Sequence, residues 1–148
     1  MGCESKALGR FNYLLGETTA AYREVSARLG LSHSVMQILY AVLEGGGTRR
    51  PLQEVCVKTG VSKQTINSAL RKLEAEGYVR LEQAGGRNKD VCLTPAGEAL
   101  AGRTVARIMA AENAVFASWP EEDVEAYLML TERYLTGFRA QAEGLGAP

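Results

Sequence analysis

Seven residues between Lys63 and Lys72 hold the most informative chemistry in this chain. Lys63, Gln64, Thr65, Asn67, Ser68, Arg71 and Lys72 remain once Ile66, Ala69, Leu70 and Leu73 are assigned to the buried stripe of a helix. Amide side chains such as Gln64 and Asn67 can pair in two places with adenine, Arg or Lys with guanine, and Ser or Thr with several base edges. The first turn of a recognition helix points into the major groove, so Gln64, Thr65, Asn67 and Ser68 are the candidate base readers. Arg71 and Lys72, further along, can read a base or hold a phosphate. Arg87 follows two glycines and precedes Asn88 and Lys89. A basic hairpin tip suits an adjacent minor groove, whose narrow walls draw Arg electrostatically. The alternative for both sets is an ordinary solvated helix face and a solvated turn.

To act together, these side chains need a second helix, a tight turn and a ribbon. Leu52 to Thr59 reads as a short helix with Leu52, Val55 and Cys56 inward. Gly60 permits the positive backbone angle of a turn, Val61 plugs the angle between the helices, and Ser62 caps the next helix, which runs to about Glu76. Gly77 ends it. Tyr78 to Gln83 alternates, with Val79 and Leu81 on one face, and Val91 and Leu93 answer from a second strand across the turn Ala84 to Asn88. The fold class this predicts is mainly α with a small β-hairpin wing, an α+β winged helix-turn-helix flanked by long helices.

Those flanks carry their own signals. Leu8, Phe11, Leu15, Thr18, Tyr22, Val25 and Leu29 recur at steps of three and four, one continuous stripe that calls for a partner helix, as from a second subunit. Gly30 closes this first helix. Ser32 caps a second through Glu44, with Val35, Leu39, Val42 and Leu43 inward, and Gly45-Gly46-Gly47 stops it. Thr48 to Pro51 reads as a link from which Arg49 and Arg50 could reach phosphate. Thr94-Pro95 starts a fifth helix that the spacing continues to about Ser118. After the break at Trp119-Pro120, Glu121, Glu122 and Asp123 open a sixth helix carrying Val124, Tyr127, Leu128, Thr131, Tyr134, Leu135 and Phe138. The glycine-rich tail after Ala142 is expected to fray.

Composition narrows the class of partner. The 148 residues fit one domain, and Lys plus Arg balance Asp plus Glu at 17 each. Between Arg49 and Lys89, however, nine basic residues face four acidic ones, a net charge of +5 within a neutral chain. Localised phosphate contact would require such a distribution. No apolar run is long enough for a bilayer and the start lacks the core of a signal peptide, so no membrane partner is expected. Cys3, Cys56 and Cys92 are odd in number and lack metal-ligand spacing, which points to a reduced, cytoplasmic protein without metal or cofactor. No nucleophile paired with a histidine, phosphate loop or dinucleotide fingerprint marks an enzyme.

The run from Leu52 to Gly97 resembles the winged helix-turn-helix of the MarR family of bacterial transcriptional regulators. Leu52, Gly60-Val61-Ser62, Thr65-Ile66, Leu70, Leu73, Glu76-Gly77-Tyr78-Val79 and Leu93-Thr94-Pro95-Ala96-Gly97 carry the likeness, and the helix order extends it over nearly the whole chain. It implies one MarR-like domain over 1–148, with a DNA-binding lobe at about 32–93 and helical dimerisation regions at about 5–29 and 96–142. It further implies a homodimeric regulator, a repressor, bound to a pseudo-palindromic operator on double-stranded DNA and modulated by a small aromatic ligand. The family pocket would draw on Tyr13, His33 and Tyr40, with Tyr22, Met36 and Met109 nearby; the other reading of these residues is core and interface packing. One departure is plain. The family's wing carries Asp-x-Arg, whereas Gly85-Gly86-Arg87 keeps the Arg and lacks the Asp that would fix it. Competing readings are a protein-interaction adaptor built on a winged helix and a thiol-based redox regulator.

Overall fold

The computed structural model describes residues 5–146, as seven helices and one three-stranded sheet among those residues. They form two compact units, divided after Ile108. The first holds α1 (Lys6–Arg28), α2 (His33–Glu44), β1 (Arg49–Pro51), α3 (Leu52–Thr59), α4 (Lys63–Ala75), β2 (Val79–Gly85), β3 (Asn88–Leu93) and α5 (Pro95–Arg103). Helix α6 (Val105–Ala117) begins in it, and α7 (Glu121–Glu143) lies in the second.

The core of the first unit is built around α2. Ile38, Leu39 and Val42 are fully buried, and the apolar faces of α3 and α4 close on them through Val55, Ile66, Leu70 and Leu73. Ser32 Oγ accepts from the Val35 amide and Ser62 Oγ from the Thr65 amide, so both expected N-caps satisfy amides that the helices leave open. Gly60 adopts φ 61°, which lets α3 turn into α4 within three residues.

Two elements differ from the sequence expectation. Thr48 to Pro51 is not merely a link: Arg49–Pro51 pairs antiparallel with β3, and the sheet runs β1-β3-β2. The free edge of β3 offers a ladder that even a three-residue segment can complete. The fifth helix does not run unbroken to Ser118. It stops at Thr104, a buried residue with φ −124° and ψ −89°, and restarts as α6. The Thr104 hydroxyl donates to the Leu100 carbonyl at 2.6 Å, a local bond of the kind that bends helices. Helix α7 ends at Glu143, within one residue of where the tail was expected to leave the helix.

Helix α5 is locked to the end of α4 by Thr94. Its hydroxyl donates to Gly77 O at 2.6 Å and accepts from the Gly97 amide at 3.1 Å, while its own amide donates to Tyr78 O at 3.0 Å. Gly97 is the tight point, because a Cβ built there would sit 1.9 Å from the Tyr78 carbonyl oxygen. In the second unit, α7 buries no residue, and Phe116, Trp119 and Tyr127 pack mutually, with Trp119 edge-on to both neighbours at 5.5 and 5.6 Å.

Gly97→Ala is therefore expected to cost about 3 kcal/mol or more, the upper end for forced overpacking. Gly102→Ala meets nothing within 4 Å and should be neutral or stabilising by up to about 1 kcal/mol. Urea unfolding of the two variants beside the unsubstituted chain measures the difference.

Candidate nucleic-acid interface

Burying Ile66, Ala69, Leu70 and Leu73 turns the opposite side of α4 to solvent. Lys63, Gln64, Thr65, Asn67, Ser68, Arg71 and Lys72 are all exposed, as the spacing requires. Thr65 has a second task, because its hydroxyl accepts from Ser62 Oγ at 2.9 Å within the cap. The remaining candidates on this face make no ion pair among the described residues, so their donors and acceptors stay available for a ligand.

The wing stands beside this face. A cleft of about 690 Å³ separates α3 and the start of α4 from the hairpin, and Lys63, Asn67, Arg87, Asn88 and Lys89 line it. The structure thus brings the tip residue Arg87 and the helix residues Lys63 and Asn67 to one concave surface. Gln83 pairs with Lys89 and Gly85 with Asn88, which leaves Ala84 as an extra, bulged residue before the Gly86-Arg87 turn. Arg87 is exposed and has no ion-pair partner among the described residues. The tip is nevertheless braced: Gln83 Nε2 donates to the Gly86 carbonyl at 2.9 Å.

Arg49 and Arg50, expected to reach phosphate, are both engaged within the fold. Arg49 Nε donates to Asp90 Oδ2 at 2.8 Å, and its Nη2 lies 3.3 Å from Glu82 Oε2. The hydrogen bond to Asp90, with smaller help from the Asp90 and Glu82 charges, raises the pKa of its guanidinium. Arg50 is half-buried; it donates to the Ala41 carbonyl at the end of α2 and pairs with Glu54 at 3.1 Å. A cation there complements the negative end of the helix dipole. Sequence reading missed the roles of Gln83, Glu82 and Asp90. Alternating charge along the hairpin was the available signal, but opposing residues follow only from the register, which the bulge shifts.

The ligand candidates take separate places. Tyr13 is exposed on α1 with the Arg10 guanidinium 5.5 Å from its ring centroid. Tyr22 and Tyr40 pack partly buried against the core, and Met36 lies inside it. Met109 opens the second unit. His33, in the first turn of α2, has a buried Nδ1 that makes no hydrogen bond. Burial, and secondarily the charge of Arg23, lowers its pKa from the ordinary 6.5. Of the thiols, Cys92 is buried and its pKa is raised, chiefly by burial although Arg49 opposes this; Cys56 is half-buried. Cys92 therefore lacks the lowered pKa of a reactive thiolate. Cys3 lies outside the described residues.

Two helices set at an angle by a left-handed glycine, the second exposing a polar face beside a bulged hairpin, define a winged helix-turn-helix. A model of the MarR family matches residues 23–87 of this chain, from the last turns of α1 to the wing tip. A solved MarR-family transcriptional regulator from Silicibacter pomeroyi is 28% identical, with 92% of each chain covered and a TM-score of 0.69. The fold is shared with MepR of S. aureus, solved in complex with DNA (15% identity, 91% of this chain and 99% of that one covered, TM-score 0.69). It is shared also with BpsR of Bordetella bronchiseptica, solved in a study of how 6-hydroxynicotinic acid regulates its DNA binding (19% identity, 84% and 98% covered, TM-score 0.62). No curated protein matched the sequence. Among the described residues, no helix is long and apolar enough to cross a membrane.

Because the folded pKa of His33 lies below that of free imidazole, the fold favours the neutral ring. That contribution is present above about pH 6.5 and is lost as pH falls through the folded value, since the unfolded chain then binds the extra proton. The thermal midpoint should fall between about pH 7 and pH 5, and fall less in His33→Gln. Equal acid sensitivity of the two proteins would remove His33 from the cause.

Proposed function

We propose that this protein is a DNA-binding transcriptional regulator that works as a homodimer on a pseudo-palindromic operator, acting as a repressor modulated by a small aromatic ligand. The observation that supports it best is the exposed face of α4, which carries seven polar or basic side chains, two of which, Lys63 and Asn67, line a cleft shared with Arg87. In this reading Gln64, Thr65, Asn67 and Ser68 read base edges in the major groove, and Lys63, Arg71 and Lys72 hold phosphates or a guanine edge. Arg87 enters the neighbouring minor groove. A protein-interaction adaptor would instead present apolar anchors here, and α4 offers none outward.

Apolar exposure elsewhere supports the dimer. Helix α1 leaves Leu8, Leu14 and Leu15 exposed, and α7 leaves Leu128, Leu130, Leu135 and Phe138 exposed. Faces of this kind mark sites of association. A second copy is the fitting occupant, since two identical reading units are what a symmetric operator requires. The aromatic-ligand reading draws on the resemblance to BpsR. Tyr13, His33 and Tyr40 are its candidate contacts; the reading extends to a cytoplasmic protein that needs no cofactor.

Gln64→Ala and Asn67→Ala should each narrow the gap between operator and random DNA by about 1–3 kcal/mol, if each side chain pairs in two places with a base. Fluorescence anisotropy on genomic duplexes selected by the unsubstituted protein, against scrambled duplexes, reads this. Equal losses on both would sink the base-reading role, and binding independent of salt would favour the adaptor.

Sedimentation at micromolar concentration should give a dimer. A monomer would contradict the two-half-site reading, since one wing unit covers too small a footprint for operator specificity.

A further inference from the structure

We propose that Arg49, with Glu82 and Asp90, is a positioning clip that holds the wing, rather than a phosphate contact. This rests on the DNA-binding reading above and adds to it a group of residues that never touch the nucleic acid.

The register places the group. Arg49 on β1 and Arg80 on β2 both stand opposite Cys92 on β3, and Glu82 stands opposite Asp90. Directly opposed residues share a face, so all five line the side of the sheet away from the core residues Val79, Val91 and Leu93. There the Arg49 guanidinium spans two carboxylates on two strands, Asp90 at 2.8 Å and Glu82 at 3.3 Å. Glu82 also reaches Arg80, at 3.4 Å. A single exposed ion pair contributes little, but this network crosses all three strands and the Asp90 side chain is only 14% exposed. Moving Arg49 onto a phosphate would strand that carboxylate in a mostly buried site, a costly exchange.

What the clip joins is informative. The residue after Arg49, Arg50, is tied to the end of α2 through the Ala41 carbonyl and to α3 through Glu54. Asp90 lies three residues beyond Arg87 on the strand leaving the wing tip. The contacts therefore run from the α2 core through β1 into the hairpin. They oppose tilting of β2 and β3 and so set where Arg87 stands relative to α4. The wing tip lacks a carboxylate of its own, and the constraint is applied at its base, with the Gln83 to Gly86 bond bracing the tip.

The test turns on sign. Removing an acidic residue near a DNA-binding surface ought to strengthen binding if only net charge mattered. As a clip, Asp90 has the opposite effect. Asp90→Ala is expected to weaken binding to an A·T-rich duplex by roughly two- to fivefold, the scale of one ion-pair contact. Asp90→Asn keeps an acceptor, and should weaken binding less but in the same direction, which covers failure of the Ala variant to fold. The loss should vanish in an Arg87→Ala background, because a misplaced wing costs nothing once its Arg is gone. Arg49→Gln should leave the slope of log affinity against log salt unchanged, whereas loss of a phosphate contact would flatten it by about 0.9. Unchanged or tighter binding by both Asp90 variants, a loss that persists without Arg87, or a flattened slope for Arg49→Gln would each overturn the clip. If the unsubstituted protein shows no salt-dependent DNA binding at all, it is the DNA-binding reading that fails.

Discussion

Helix α4 can offer a continuous polar face only because its opposite side is held without a gap. Ile66, Leu70 and Leu73 are all but inaccessible, packed against Ile38, Leu39 and Val42 of α2. Each large side chain so buried contributes about 1.5–3 kcal/mol, far more than any single exposed polar contact in the molecule. The rotation of α4 about its axis is thereby fixed, and with it the direction in which Gln64, Asn67, Ser68 and Arg71 point. A slip of one residue would turn Ile66 outward and carry the readers into the core. Precision at the surface is thus inherited from burial beneath it.

The wing is positioned by weaker means. Val79, Val91 and Leu93 anchor its strands in the core with Leu81 partly buried against it, and the distal half of the hairpin is exposed. Hydrogen bonds and ion pairs take over there: Thr94 at the base, Arg49 with Asp90 and Glu82 in the middle, Gln83 near the tip. Net stabilisation from each is modest. Such a hairpin tolerates adjustment more readily than α4, which suits a side chain that follows the shape of a groove rather than a base pattern.

The sequence disclosed most where burial sets the pattern. The stripe Ile66, Ala69, Leu70 and Leu73, the caps Ser32, Ser62 and Thr94, and the turn at Gly60 are local features with one strong physical outcome each. Strand β1 was not legible, because Arg49-Arg50-Pro51 has no alternation of its own and becomes a strand only through the edge that β3 presents. The break at Thr104 was hidden for a related reason: a threonine continues a helix or bends it depending on whether its hydroxyl turns back to the Leu100 carbonyl. Arg49 and Arg50 looked like free cations because their partners, Asp90 and Ala41, are distant in sequence. The aromatic candidates Tyr13, Tyr22 and Tyr40 are spread over α1 and α2, and their place in the sequence alone does not distinguish a pocket wall from packing.

The claim that α4 and the wing form one nucleic-acid surface is most directly tested by mapping where DNA touches. Backbone amide resonances of the labelled protein would be followed by NMR as an A·T-rich duplex is added at low salt. The expected result is shifts concentrated at Lys63 to Lys72 and at Gly85 to Lys89, with α7 undisturbed. Shifts centred on α1 or α7, with α4 and the wing unchanged, would contradict it.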